Sequence, residues 1–234
     1  MTTSYSPLIV TDGLVMYLDA ANPKSYPGTG TTWTDISRNN NNGTLTNGPT
    51  FSSANLGSIV FDGVDDYVNC GNLGTIGNTQ TIEVWFNSNS VTSYKNVLDM
   101  NYSTYFPNTG NVGPRLEQYS TSQIIWIWSG NTTNNNIYNY PTLENINANK
   151  WYHTIFTLNS GAWQWYLNGI LIQSGTSPQG YVTTYGDVNI GRGFVLDPSR
   201  YYSGNIPSVK IYNKALSTAE VLQNYNATKT RYGL

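Results

Sequence analysis

Along this chain apolar residues recur at every second position in short runs, the period of half-buried β-strands. The clearest stretch is 151–172, WYHTIFTLNSGAWQWYLNGILI. It predicts three strands joined by two tight turns. Asn168-Gly169 offers the two positive φ angles of a type I′ turn, and Asn159-Ser160-Gly161 reads as a three-residue loop with Gly161 left-handed. This register pairs Leu167 with Ile170 and Trp165 with Ile172 on one face, and leaves Tyr166 and Leu171 on the other. Further strands are expected at 13–19, 58–62, 66–70, 79–87, 95–100, 187–191 and 205–212. Segments 114–119 and 123–128 form a hairpin over Ser120-Thr121-Ser122. Within 79–87, Thr81, Glu83, Trp85 and Asn87 share one face, and Ile82, Val84 and Phe86 the other. One helix is expected: Ser217 and Glu220 spell a capping box, and Ala219, Val221, Leu222 and Tyr225 follow at helical spacing. Short strands separated by frequent turn signals predict an all-β fold, a two-sheet antiparallel jelly-roll β-sandwich with one short C-terminal helix. No repeat or linker divides the chain. Residues 1–12 read as an N-terminal arm and 13–234 as one domain.

Composition narrows the chemistry. Charged residues make up only 10% of the 234 positions while aromatic residues reach 14%, so the chain has the means to build a core and lacks the signature of disorder. The formal net charge is −2 and no basic stripe exists, which excludes a nucleic-acid footprint. No apolar run is long enough to span a membrane, and the N-terminus carries no basic, apolar leader. The expectation is a protein that folds in a cytoplasm. Cys70 is the single cysteine, so no intrachain disulfide forms.

Catalytic patterns are weak. Glycoside hydrolysis needs two facing carboxylates, and Glu83 is followed on its own face by Trp85 and Asn87. His153 is the one histidine and reads as a packed, hydrogen-bonded core residue; no Cys/His cluster suits zinc. The reading is of a protein that is no enzyme and requires no cofactor. A structural calcium would draw on loop oxygens, with Asp19 and Asp62 as the leading ligands beside Asn22, Asp65 and Asp66. The competing reading makes Asp62 the start of a turn and leaves Asp65 and Asp66 solvated. The aromatic residues are the better lead, because sugars stack on Tyr and Trp. Tyr102, Tyr105, Tyr119, Tyr138 and Tyr140 crowd the segment 101–145, with Trp126 and Trp128 on one strand face. The candidate ligand-binding set is Tyr119, Trp128, Tyr138 and Tyr140, with Arg115 and Glu117 supplying hydrogen bonds. Against it stands the reading in which Ile124, Trp126 and Trp128 face the core. The same aromatics would equally suit a protein interface.

Several motifs occur in one order: GLVMYLDA at 13–20, Trp33-Thr34-Asp35, IVFDGVDDYV at 59–68, TIEVWF at 81–86, WYH and WYLNG between 151 and 169, VNIGRG at 188–193, and GNIPSVKIYNKALSTAEVLQNY at 204–225. Together they resemble the concanavalin A-like, laminin-G-like jelly-roll superfamily, and in particular the domains of this type found in bacteriophage structural proteins. The resemblance covers about 13–230. It implies a non-enzymatic, lectin-like virion protein, assembled in the host cytoplasm and displayed as a capsid decoration, head fibre or tail-associated module. Its partners would be other virion proteins, with a homo-oligomer and a cell-surface glycan as further partners. The arm would dock it on the particle. Where such domains often carry an Asp-Glu pair before the closing Val-x-Ile-Tyr, this chain has Pro207-Ser208, which removes acidic metal donors. Two alternatives stay open: a receptor-binding adhesin that recognises a cell-surface glycan, and a glycan-degrading enzyme.

Overall fold

The computed structural model describes residues 8–100, 113–130, 137–139, 143–176, 186–193 and 198–234. In chain order the strands begin with β1 (Leu14–Asp19), β2 (Thr32–Trp33), β3 (Gly43–Thr46), β4 (Thr50–Ser52), β5 (Ser58–Asp62) and β6 (Tyr67–Asn72). Next come β7 (Thr79–Ser88), β8 (Lys95–Asp99), β9 (Arg115–Ser120), β10 (Gln123–Gly130), β11 (Ile137–Asn139) and β12 (Glu144–Asn145). The last are β13 (Trp151–Asn159), β14 (Ala162–Leu167), β15 (Ile170–Thr176), β16 (Asp187–Ile190) and β17 (Ser203–Tyr212), followed by helix α1 (Thr218–Thr228).

Among the described residues the strands form two antiparallel sheets. The eight-stranded sheet runs β15-β14-β13-β7-β17-β5-β4, and β1 pairs with β17 beyond β5. The nine-stranded sheet runs β11-β10-β9-β8-β16-β6-β3-β2, with β12 on β10. β5 and β6 are separated only by Gly63-Val64-Asp65 and its neighbour, yet they lie in different sheets, so the tight connection is a crossing between layers. The core between the layers is aromatic: Phe61, Phe86, Trp126, Trp128, Phe156 and Trp165 meet Leu18, Val84, Leu116, Val188 and Ile190 there. Thr154 satisfies two of the indoles inside it, its Oγ1 accepting Trp126 Nε1 at 3.0 Å and Trp165 Nε1 at 2.9 Å.

The meander forms as β13-β14-β15, with two adjustments. Asn159 pairs directly with Ala162, and Ser160 and Gly161 both have positive φ (49° and 98°), so this loop has two residues rather than three. At the other turn Asn168 (φ 50°) and Gly169 (φ 78°) close Leu167 on Ile170 as expected. A bulge between Trp165 and Tyr166 then puts Trp165 opposite Gln173 instead of Ile172. A bulge inserts one residue and breaks strict alternation, which no apolar count reveals.

Helix α1 starts at Ser217 with both halves of the capping box made. With the 3₁₀ turn Lys229–Tyr232 it lies over the outer face of the eight-stranded sheet, where Val221 and Leu216 join Tyr212, Ile155 and Tyr166 in a second, smaller core. Val10 belongs to the same cluster, and its backbone N–H donates to Asn224 Oδ1 at 2.8 Å.

Candidate functional site

The outer face of the nine-stranded sheet carries a polar band. Residues directly opposed across antiparallel strands share a face. Asn96 opposes Glu117, which opposes Ile125; Asp99 opposes Arg115, which opposes Ile127; and Asp99 also opposes Asn189, which opposes Asn69. Leu98 and Leu116 alternate with this band and turn inward. All three of the band's charges are deeply buried, Asp99 at 2%, Arg115 at 4% and Glu117 at 1% exposed. Glu117 Oε2 accepts Arg200 Nη1 at 3.0 Å and lies 3.2 Å from Arg115 Nε. Lys95 Nζ donates to the Ser199 carbonyl at 2.6 Å. These bonds fasten the 3₁₀ turn Pro198–Arg200 onto β8 and β9. Asn96 is wholly buried and neither atom of its amide has a hydrogen-bond partner among the described residues, an arrangement that costs about 1–3 kcal/mol. Gly193 packs on that amide so closely that a Cβ there would come within 2.5 Å of Asn96 Cγ.

The band ends in two exposed rings. Tyr94 and Tyr119 meet edge to face with centroids 5.8 Å apart, and they are 48% and 37% exposed. Tyr94 holds a left-handed backbone, φ 63°. A bulky residue rarely adopts that conformation, and such strain of about 1–3 kcal/mol survives where the surroundings enforce it, often at binding sites. The Arg200 guanidinium sits 5.5 Å from the Tyr94 ring centroid. A relay therefore runs from a buried carboxylate through Arg200 to a paired aromatic surface. Such a surface can offer ring faces to apolar C–H groups and phenol hydroxyls to polar ones. Glu117, clamped between guanidiniums, positions Arg200.

Tyr119 is the predicted ligand residue that reaches this surface. Arg115 and Glu117 lie beneath it as an internal ion pair, not as exposed donors. Trp128 is corrected: it is 2% exposed and packs at 4.5 Å on Phe156 and 5.2 Å on Trp163 inside the sandwich. Trp126, on the same strand face, stacks on Phe156 at 5.6 Å. The Tyr138 backbone pairs with Ser129 in β11; its side chain and all of Tyr140, Tyr102 and Tyr105 lie outside the described residues. The sequence reading missed Tyr94, Arg200 and Asn96. Left-handed backbone at a tyrosine has no residue signature, and Arg200 meets Glu117 across 83 positions of sequence.

The two metal candidates part ways. Asp19 is 2% exposed. Its oxygens accept Arg231 Nη1 at 3.0 and 2.9 Å, the Tyr17 hydroxyl at 2.8 Å and the Ala21 N–H at 3.1 Å. A carboxylate so fully engaged pins the C-terminal turn to β1 and does not offer itself to calcium. Asp62 does sit in an acidic group, with Asp65 and Asp66 oxygens all within 4.8 Å. Yet Asp62 Oδ1 accepts the Val64 N–H at 2.8 Å and Asp66 Oδ2 accepts the Asp62 N–H at 3.0 Å. Three carboxylates match the donor type of a hard cation but fall short of the six to eight oxygens calcium takes, and backbone amides already close the turn.

The constellation that most resembles catalytic machinery is sealed. Under α1, Glu83 Oε1 accepts Lys210 Nζ at 2.5 Å and faces His153 Nε2 at 3.0 Å, while Glu83 Oε2 accepts Asn224 Nδ2 at 2.7 Å. Glu83, Lys210, His153 and Asn224 are each 1% exposed or less. Burial opposes ionisation of Glu83, but Lys210 and His153 outweigh it and hold the carboxyl at about 2. Burial pushes the His153 imidazole below its ordinary value, against the opposing pull of Glu83. A neutral ring facing an acceptor-only carboxylate carries its proton on Nε2, and Nδ1 has no partner among the described residues.

Known proteins share this architecture. Domain 4 of an extracellular arabinanase from Geobacillus stearothermophilus superposes with a TM-score of 0.62 at 17% identity, over 91% of this chain and 98% of that one. The binding domain of botulinum neurotoxin serotype D superposes with a TM-score of 0.69 at 16% identity, over 92% of this chain but 52% of that one. For Trypanosoma rangeli sialidase the values are 0.70 and 14%, over 97% of this chain and 36% of the enzyme. The chain thus spans about half of the toxin structure and a third of the sialidase. No curated protein sequence matches it. The family model described as concanavalin A-like lectin/glucanases superfamily matches residues 62–222, from the acidic turn after β5 into helix α1. With its two facing antiparallel sheets and ordered motifs, the chain belongs to the concanavalin A-like lectin/glucanases superfamily.

Proposed function

We propose that the chain is a non-catalytic glycan-binding module and that the Tyr94–Tyr119 end of the nine-stranded sheet is its contact surface. The observation that carries this is the exposed, edge-to-face tyrosine pair braced by Arg200 on buried Glu117. Aromatic rings beside a few fixed polar groups are what a sugar needs: stacking for its C–H face and donors for its hydroxyls. The arabinanase domain, matched along 98% of its length, was solved with arabinotriose, and the sialidase with sialic acid. Both support a saccharide ligand here. Absence of catalysis is supported by the engaged acids: Glu83 is walled in under α1 and Glu117 is clamped by guanidiniums.

A glycan array followed by calorimetry tests this. Tyr94→Ala and Tyr119→Ala each weaken the selected glycan about tenfold, ~1.4 kcal/mol, and leave the melting temperature unchanged. Equal binding by wild type and both variants overturns the surface. Reducing sugar released by wild type but not by Glu117→Gln overturns the absence of catalysis. As for setting, the phage-type motifs at 59–68 and 204–225 support a module displayed on a virion among other virion proteins. Mass spectrometry of purified particles checks it, and a particle lacking the chain removes it.

A further inference from the structure

At the other end of the sandwich a cleft of about 420 Å³ opens between the start of β1, the loop 38–42, the loop after β6 and the residue after β17. That volume lies within the ~300–1,000 Å³ range of small-molecule sites. One wall is a pre-shaped loop wrapped around Asp35. Asp35 Oδ1 accepts the N–H groups of Tyr17 and Ser37, each at 2.8 Å, and Oδ2 accepts the Asn41 N–H at 3.0 Å. The loop holds two non-glycine residues in left-handed backbone, Arg38 (φ 79°) and Asn40 (φ 62°). Between and beside them stand Asn39 and Asn41, which line the cleft.

Both amides are oriented by their nitrogens. Asn39 Nδ2 donates to the Leu14 and Val15 carbonyls at 3.0 Å each, and Asn41 Nδ2 donates to the Val15 carbonyl at 2.8 Å. That leaves Oδ1 of each as a fixed acceptor, and no donor among the described residues meets either one. The side chains of Thr11, Thr75 and Asn213 also line the cleft without a hydrogen-bond partner among the described residues. Leu73 and Ile76, which pack on the core, add a small apolar patch to the lining. No charged side chain among the described residues lines it, and the nearby Lys214 is engaged by Asp12 at 2.8 Å and Glu220 at 2.7 Å.

We propose that this cleft is a second binding site, and that its ligand is an uncharged saccharide. Preset amide acceptors call for hydroxyl donors, the Leu73 and Ile76 patch suits a C–H face, and the lack of charge among the described lining residues argues against anions and against calcium, which favours carboxylates. The site is remote from the tyrosine pair. β17 begins at Ser203, beside Arg200, and ends at Tyr212, beside Asn213; ten extended residues span ~30 Å. A rigid body with a sugar site at each end would bridge two glycan chains or two points on one, and gain avidity from both.

Side-chain amide NMR on the full chain tests this site separately from the tyrosine surface. The probes are the methyl glycosides of arabinose, glucose, galactose and mannose, with glucuronate as the charged control. The Asn39, Asn41 and Asn213 amide signals move with at least one neutral glycoside and stay still with glucuronate. The movement persists in Tyr94→Ala/Tyr119→Ala and is lost in Thr75→Trp, which fills the cleft from an exposed bridge position. Thr11→Arg blocks the opposite wall and serves if the first variant does not fold. Three silent amides with every neutral probe, shifts that survive both blocking variants, or an equal response to glucuronate overturns the proposal. Shifts here with none at the tyrosines would overturn the tyrosine surface and leave this site standing.

Discussion

Lys210 stands directly across the strands from Glu83, its Nζ 2.5 Å from Oε1, with neither side chain in contact with water. The row continues in register: Tyr17 opposes Lys210 on one side and Ile155 opposes Glu83 on the other. A buried pair is costly to assemble and more costly to break singly, because the remaining charge is stranded. Lys210→Met is therefore expected to lower unfolding free energy by about 3–5 kcal/mol. Lys210→Met with Glu83→Gln recovers part of that loss, since no bare carboxylate remains. Urea denaturation of the three proteins measures both effects. A double variant no more stable than Lys210→Met would show that the pair's charge is not what the site depends on.

The same cluster sets the acid response. Glu83 falls from an ordinary 4.5 to about 2 in the fold, where Lys210 and His153 overcome the effect of burial. His153 is lowered from 6.5, by burial first. Both groups bind more protons in the unfolded chain than in the folded one, so each favours unfolding as pH falls. Stability declines first as pH drops below the ordinary histidine value, and again as it passes from the ordinary glutamate value toward 2. His153→Gln keeps a donor for Glu83 and loses the upper limb of that decline. Melting temperature followed by circular dichroism from neutral to acid pH records it. An upper limb unchanged in His153→Gln would assign it to another group.

Local signals carried much of the architecture. Asn168-Gly169 set a turn, Ser217 and Glu220 set the helix start, and alternation in 79–87 described β7. What escaped depends on partners distant in sequence. Alternation says that Trp126 and Trp128 share a face but not which face meets the core, and Phe156 and Thr154 decide that. Asp19 reads as a loop acid until Arg231 arrives from 212 positions away. Glu83 reads as an isolated carboxylate until β17 and α1 bring Lys210 and Asn224 to it. The binding surface was half legible: Tyr119 stood in a tyrosine-rich segment, whereas Tyr94 depends on a backbone conformation that sequence does not announce.

Trp128 and Tyr119 separate packing from contact. Trp128→Ala empties a site between Phe156 and Trp163 and is expected to cost about 3–5 kcal/mol of stability. Tyr119→Ala trims a ring that is 37% exposed and leaves stability within about 0.5 kcal/mol. Chemical denaturation of the two variants gives the contrast. Comparable losses would mean that Tyr119 supports the fold rather than a ligand.

The turn after β5 offers the last test. Burial raises the Asp66 carboxyl above its ordinary 3.8; the Asp62 N–H pulls it back, and the charges of Asp62 and Asp65 push it further up. The folded protein therefore holds the Asp66 proton to higher pH than the unfolded chain, and stability falls as pH rises through that interval. At neutral pH the ionised group works against folding. Asp66→Asn keeps an acceptor for the Asp62 N–H, removes the repulsion, and should melt at a higher temperature than wild type at neutral pH. The difference should vanish in acid, where Asp66 is protonated. Because backbone amides already close the turn, EDTA should leave the wild-type melting temperature unchanged. A fall on chelation in wild type, absent in Asp66→Asn, would instead place a cation among the three carboxylates and make their mutual repulsion the price of holding it.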